Sequence, residues 1–170
     1  MQATEITRSL RRVGELLLEQ GLRGEILLLG GAYMSLVLHA REATKDVDAY
    51  FAAEPAAIRE AATRVAREHG LNPAWLNDAV KGFLYTTPPI EFWAEFPGLR
   101  IYVPPPSYVF ALKALAGRPE DLRDLQVLRR VSGLRSASEA LELVRTFVPE
   151  RLLTARIQYL VEDLFDGESA

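Results

Sequence analysis

EILLLGGAYMSLVLHAREATKDVDAYF, residues Glu25 to Phe51, is the stretch whose reading decides the fold. Ile26–Leu29 is an apolar run of strand length, and Gly30-Gly31 is a turn. About 32–40 carries helical spacing, with Tyr33, Leu36 and Val37 facing inward. Val47–Phe51 is a second strand, opened by Asp46-Val47-Asp48. Residues i and i+2 of a strand share a face, so Asp46 and Asp48 project together while Val47 is buried opposite. Two carboxylates held that close repel, and one keeps its proton unless a cation lies between them. A hard, oxygen-seeking Mg²⁺ or Mn²⁺ resolves the conflict. Gly30 and Gly31 supply the other half of a site. Bare glycines between strand and helix let the backbone approach a ligand, and the helix start presents unpaired N–H groups. An anion-accepting turn beside a carboxylate pair suits a nucleoside triphosphate.

The remaining composition bounds the possibilities. A chain of 170 residues suits one domain or two small lobes. No apolar run approaches the roughly 20 residues that cross a bilayer, and the N-terminus lacks a signal-peptide pattern. No membrane association and a cytoplasmic location are the expectations. There are no cysteines, so disulfides and thiolate metal sites are excluded. His39 and His69 are the only histidines and neither sits in a ligand-like pattern. A net charge of −3 argues against a surface coated for nucleic acid but leaves room for a local basic groove.

Outward from the central stretch, Thr4–Gln20 has the period of an amphipathic helix, with Ile6, Leu10, Val13, Leu16 and Leu17 inward and Gly21 and Gly24 ending it. Arg8, Arg11 and Arg12 lie close together on its polar face, either as a solvated surface or as an RNA contact. His39 is read as structural, at the end of the helix over about 32–40. Arg41 and Lys45 flank the carboxylates; they could meet triphosphate oxygens or pair with Asp46 or Glu42. Glu54-Pro55 opens a helix that runs to about His69 and stops at Gly70. Leu71–Phe83 reads as a short helix entered through Asn72-Pro73. Its Trp75-Leu76-Asn77-Asp78 either lines a nucleotide pocket or is a core tryptophan followed by a capping asparagine. Ile90–Trp93 and Leu99–Val103 read as strands joined by Pro97-Gly98.

Pro104-Pro105-Pro106 is a stiff connector, placed as the boundary between a core of residues 1–103 and a helical lobe of 104–170. Ser107 is expected to cap a helix over Tyr108–Ala116. Lys113 falls among Val109, Phe110, Leu112 and Leu115, so it either snorkels to water or faces a site. Pro119-Glu120-Asp121 starts the next helix, where Asp121 and Asp124 would also suit the positive helix end. Leu122–Val131, Ser136–Phe147 and Pro149–Phe165 read as three further helices, and Asp166–Ala170 as a frayed tail.

The order strand, Gly30-Gly31, helix, fourteen residues, then Asp46-Val47-Asp48 resembles the signature of the DNA polymerase β-like nucleotidyltransferase superfamily. The wording Arg41…Thr44-Lys45-Asp46-Val47-Asp48 is similar to small bacterial proteins related to the AbiEii and MenT toxins. The resemblance implies an α/β nucleotidyltransferase core, a small mixed sheet with helices, followed by a C-terminal helical lobe. It implies metal binding by Asp46 and Asp48, and triphosphate contact by Gly30, Gly31, Arg41 and Lys45. A third carboxylate is expected on a later strand as general base; Glu91 is the first candidate and Glu95 the second. Lys113…Gly117-Arg118…Asp121…Asp124 looks like the C-terminal motif of the AbiEii-type enzymes. By that likeness Lys113 and Asp121 belong to an active site, Arg118 is a phosphate contact, and Asp124 a further candidate. The implied activity is Mg²⁺- or Mn²⁺-dependent transfer of NMP from an NTP to a hydroxyl on a tRNA 3′ end or a protein. The chain would then be the toxin of a pair with a cognate antitoxin. Two other readings stay open: a nucleotide or RNA binder without catalysis, and an antitoxin or scaffold.

Overall fold

Apolar side chains at three- and four-residue steps make Ala3–Glu19 the first helix, α1, with Ile6, Leu10, Val13, Leu16 and Leu17 buried. The computed structural model describes residues 1–166, and these form a mixed α/β chain of two compact units. The first unit comprises Met1–Gly82 and Ile90–Pro104, and the second comprises Phe83–Pro89 and the chain from Pro105 onward. The expected frayed tail beyond Asp166 lies outside the described residues.

In the first unit, β1 (Gly24–Leu28), α2 (Gly30–Leu36), β2 (Val47–Ala53) and α3 (Pro55–His69) follow in order. A short strand β3 (Leu76–Asn77), a 3₁₀ turn at Ala79–Phe83, whose last residue already belongs to the second unit, and the hairpin β4 (Glu91–Phe96) and β5 (Leu99–Val103) come next. The strands form one mixed sheet in the order β3-β2-β1-β5-β4. β1 pairs antiparallel with β2 and parallel with β5; β3 lies parallel to β2, and β4 antiparallel to β5. Strand alternation sorts the two faces. Ile26, Leu28, Val47, Ala49, Phe51, Leu99 and Ile101 are buried on one face. α1 and α3 pack together and against these strands. Leu27, Asp48, Tyr50, Tyr102 and Phe92 belong to the opposite face by register.

Arg12 joins α1 to α3. Its guanidinium bonds Glu68 at 2.9 Å, Glu15 at 3.2 Å and Glu19 at 3.3 Å. Those bonds, Glu68 first, raise the arginine's affinity for its proton, and Arg12 in turn holds the Glu68 carboxyl below its usual range. Ser9 Oγ and His69 Nδ1, 2.9 Å apart, add a second polar tie between the same helices. α1 also crosses the β4–β5 turn at bare backbone. A Cβ on Gly14 would land on the Pro97 carbonyl, and one on Gly98, at φ +76°, would land on the Gly14 carbonyl. Gly14→Ala is therefore expected to cost about 1–3 kcal/mol, the scale of overpacking. Urea denaturation checks it; an unchanged midpoint would mean that the helix slides freely over the turn.

Two sequence expectations in this unit change. The helix read over about 32–40 ends at Leu36, so it has seven residues. His39 lies beyond it with φ +51°, not on its last turn. The segment Leu71–Phe83 is not a helix but the strand β3 and then the 3₁₀ turn. Trp75 drives that change. It is buried, and its indole N–H donates to the Ala62 carbonyl at 3.0 Å. Val47 N–H donates to the Trp75 carbonyl at 2.6 Å, which starts the parallel pairing with β2. Trp75 is thus the core tryptophan of the two alternatives. Asn77 caps the 3₁₀ turn, its Oδ1 accepting from Ala79 N–H at 3.1 Å.

The second unit contains α4 (Pro106–Ala116), a 3₁₀ turn at Pro119–Asp121, α5 (Leu122–Val131) and α6 (Ala137–Phe147). A 3₁₀ turn at Glu150–Leu152 and α7 (Ala155–Asp166) complete it. Pro106 takes the first helical position of α4 and no side chain caps it, so Ser107 lies inside the helix rather than capping it. The fixed φ of proline suits that place. Ser136 caps α6, its Oγ accepting from Glu139 N–H at 3.2 Å. Pro149 opens only a 3₁₀ turn, and the last helix starts afresh at Ala155. Phe83–Pro89 belongs to this unit because Tyr108 Oη donates to the Thr86 carbonyl at 3.1 Å and Thr86 Oγ1 to the Phe147 carbonyl at 3.3 Å. The Tyr108 and Phe147 rings meet edge to face, 5.0 Å apart.

Candidate functional site

Strand β1 ends and the chain turns at Gly30, whose φ of +61° is a conformation that glycine adopts without steric cost. A Cβ there would land on Asp48 Oδ2. A Cβ on Gly31 would land on Thr44 Oγ1 and lie 3.3 Å from an Arg41 guanidinium nitrogen. The structure thus brings Gly30, Gly31, Arg41, Thr44 and Asp48 into one cluster. Backbone bonds fix it. Leu29 N–H donates to the Asp48 carbonyl at 2.9 Å, and Thr44 Oγ1 donates to the Asp46 carbonyl at 3.1 Å. Thr44 is buried, and its N–H is held by the Met1 carbonyl at 3.0 Å. Asp46 immediately precedes β2 and Asp48 is its second residue; both are half-buried, on either side of the fully buried Val47. Lys45 is exposed.

Glu91 lies elsewhere on the sheet. It is exposed and begins β4, the outer strand. Three strand spacings, about 14 Å, separate β4 from β2. The carboxylate expected beside Asp48 as a base is therefore not supplied by Glu91, and Glu95 is further along the same edge strand, bonded to Arg100 at 3.2 Å. Glu91 acts instead on Tyr33, the buried tyrosine of α2. Burial first, and the Glu91 charge second, push the Tyr33 phenol up to about 12. A phenol held protonated in the fold contributes stability that is complete below its unfolded value of about 10 and is lost as pH rises toward 12. The unfolding midpoint should thus fall between pH 10 and 12, and Tyr33→Phe should flatten that fall. A wild-type midpoint constant across that window would contradict the assignment.

The strand beside β2 on its other side is β3, and its register sets Asn77 directly next to Asp48. In sequence, Asn77 stands out only as part of Trp75-Leu76-Asn77-Asp78; the pairing that carries it to Asp48 is non-local. Thr44 enters the sequence reading only within Arg41…Thr44-Lys45-Asp46-Val47-Asp48, and one threonine in a polar link gives no signal of burial against a glycine. Asp78 pairs with Arg59 of α3.

Comparison with protein-family models, curated proteins and solved structures finds no match to this chain. The site therefore rests on its own donors. No group of three or more His, Cys, Asp or Glu side chains is placed to hold a metal among the described residues. Mg²⁺ commonly takes one or two protein carboxylates and completes its shell with substrate phosphates and water. Asp46 and Asp48 are two carboxylates on either side of Val47, the number such a shared site uses, and not a closed protein cage.

The remaining predicted residues lie in the second unit. Lys113 Nζ is 2.6 Å from Asp121 Oδ1 and 2.8 Å from Asp124 Oδ2. All three are buried, with 7%, 6% and 2% of their surfaces exposed. Of the two readings of Lys113, snorkelling to water is excluded: it faces the start of α5 and joins it to α4. The ammonium keeps a third N–H, but with Lys113 7% exposed a phosphate could reach it only if this buried site opened. Arg118 is exposed on the turn between the helices, where its carbonyl accepts from Asp121 N–H at 3.0 Å.

Proposed function

We propose that this chain is a metal-dependent nucleotidyltransferase, and the close approach of Gly30 and Gly31 to Asp48, Thr44 and Arg41 carries the reading. In it, the bare glycine backbone receives the triphosphate and Arg41 and Lys45 offset its charge. Asp46 and Asp48 hold the cation, which when bound screens phosphate charge and favours ionisation of the attacking hydroxyl. An acceptor oxygen bonds to the α-phosphorus, the bond from that phosphorus to the β-phosphate bridge breaks, and pyrophosphate leaves with the bridging oxygen. The hydroxyl proton passes to a carboxylate of the Asp46–Asp48 pair or to water. Following the resemblance, the acceptor is a tRNA 3′ end or a protein hydroxyl, and the chain acts as a toxin restrained by a cognate antitoxin.

The deciding experiment incubates the protein with each labelled NTP, Mg²⁺ or Mn²⁺, total tRNA and cell lysate, beside Asp46→Ala. Label in RNA or protein with the wild type alone supports transfer and names the acceptor class. Equal labelling by Asp46→Ala would refute the assignment. A second reading, nucleotide binding without transfer, draws on the asparagine at 77 beside Asp48 and on the distance of Glu91. It predicts metal-dependent NTP binding with no label moved to any acceptor.

A further inference from the structure

The first unit holds a second feature, independent of the glycine turn. An open cleft of about 520 Å³ lies between the first turns of α1, the end of α2 and the edge strand β4. Thr7, Arg8, Arg11, Leu36, His39 and Trp93 line it. The pairing of β4 with β5 slips between Phe92 and Ala94, leaving Trp93 as the bulged residue. A bulge on an edge strand re-aims a side chain, and here the half-buried indole joins the cleft. His39, which also lines the cleft, takes the left-handed backbone conformation that residues other than glycine adopt uncommonly.

The cations are divided unequally. Arg12 is saturated by three glutamates. Arg8 and Arg11, one turn and one residue before it, are exposed, and neither has a carboxylate partner among the described residues. Arg11 stacks instead over the Phe96 ring, 4.8 Å from its centroid, which holds its guanidinium at the rim. In a chain of net charge −3, two unmatched arginines beside a half-buried indole that lines an open cleft form a local site for an aromatic anion.

We propose that this cleft binds single-stranded nucleic acid, one base stacking on Trp93 and the flanking phosphates meeting Arg8 and Arg11. Every base has a π-face, so an aromatic side chain with cations around it takes a strand without needing its sequence. A duplex keeps those faces stacked internally and does not offer them. An acidic peptide matches the arginines but leaves the indole without a flat partner. The site does not depend on transfer chemistry, and it stands or falls apart from it.

The full chain is titrated with an oligouridylate of about ten nucleotides, a length within the range such sites cover, while tryptophan emission is followed. Trp75 is 1% exposed, so quenching reports Trp93. Saturable quenching is expected, with a log–log salt slope near −1.4 for two phosphates, reduced by about 0.7 in Arg8→Glu. Trp93→Leu should weaken binding of a fluorescently labelled oligouridylate by about 5- to 150-fold. Asp48→Ala should leave the titration unchanged, which separates this site from the glycine turn. The proposal is overturned by absent quenching, by an Arg8→Glu titration identical to wild type, or by a poly-glutamate or duplex ligand that binds as well as the single strand.

Discussion

Asp48→Ala is expected to reduce nucleotide transfer by about 10²- to 10³-fold while the protein melts as wild type does. That is the scale on which removal of one group stabilising transition-state charge is felt. Asp48 is the carboxylate closest to the glycine turn, since its Oδ2 occupies the space that a Cβ on Gly30 would enter. The side chain is half-buried near the start of β2, so its loss opens no core cavity, and the neighbouring Val47 and Ala49 stay packed. Gly30→Ala should damage the same site from the other side. It places a methyl group on that carboxylate and asks alanine to hold φ +61°. Initial rates of label transfer at saturating NTP, with thermal melts of each variant, test both. Wild-type rates from a folded Asp48→Ala protein would end the catalytic reading.

Lys113→Met should be the most destabilising single change in the second unit, by about 3–5 kcal/mol. The ammonium holds two carboxylates within 2.8 Å at a site almost closed to water. Removing it leaves Asp121 and Asp124 as near neighbours of like charge in a poorly solvated place. A second change, Asp121→Asn in the Lys113→Met background, removes one of the two charges and should recover part of the loss. Urea unfolding followed by circular dichroism measures both, with the two units allowed separate transitions. If Lys113→Met unfolds within 1 kcal/mol of wild type (about a fivefold change in the equilibrium constant), the buried pair is not what holds α5 to α4. Lys113→Arg separates structure from catalysis: a folded variant with unimpaired transfer leaves the lysine a structural group.

Much of this architecture is local in origin, and local features are legible in a sequence. The turn at Gly30-Gly31 needs residues without Cβ; β2 needs period-two alternation; α3 begins with Pro55 and ends at a left-handed Gly70. Pro97-Gly98 makes the hairpin between β4 and β5, and the run of prolines at 104–106 falls where the two units divide. Each depends on neighbours a few residues away, so the sequence alone determined these elements; the antiparallel pairing of β1 with β2 is what sets Gly30 against Asp48. The rest was decided by contacts across long stretches of chain. Leu71–Phe83 has the composition of a short helix, but Trp75 gains more by burying its indole under α3 and lending its carbonyl to Val47, which makes Leu76–Asn77 a strand. The order of strands carried Asn77 to Asp48 and Glu91 to the far edge, although Glu91 alternates as a site residue would. Three arginines of one helix face became different groups only when α3 brought Glu68 to Arg12 and β4 brought Trp93 to the cleft beside Arg8 and Arg11. Side-chain periodicity determines which way a residue points; only tertiary packing decides what it meets there.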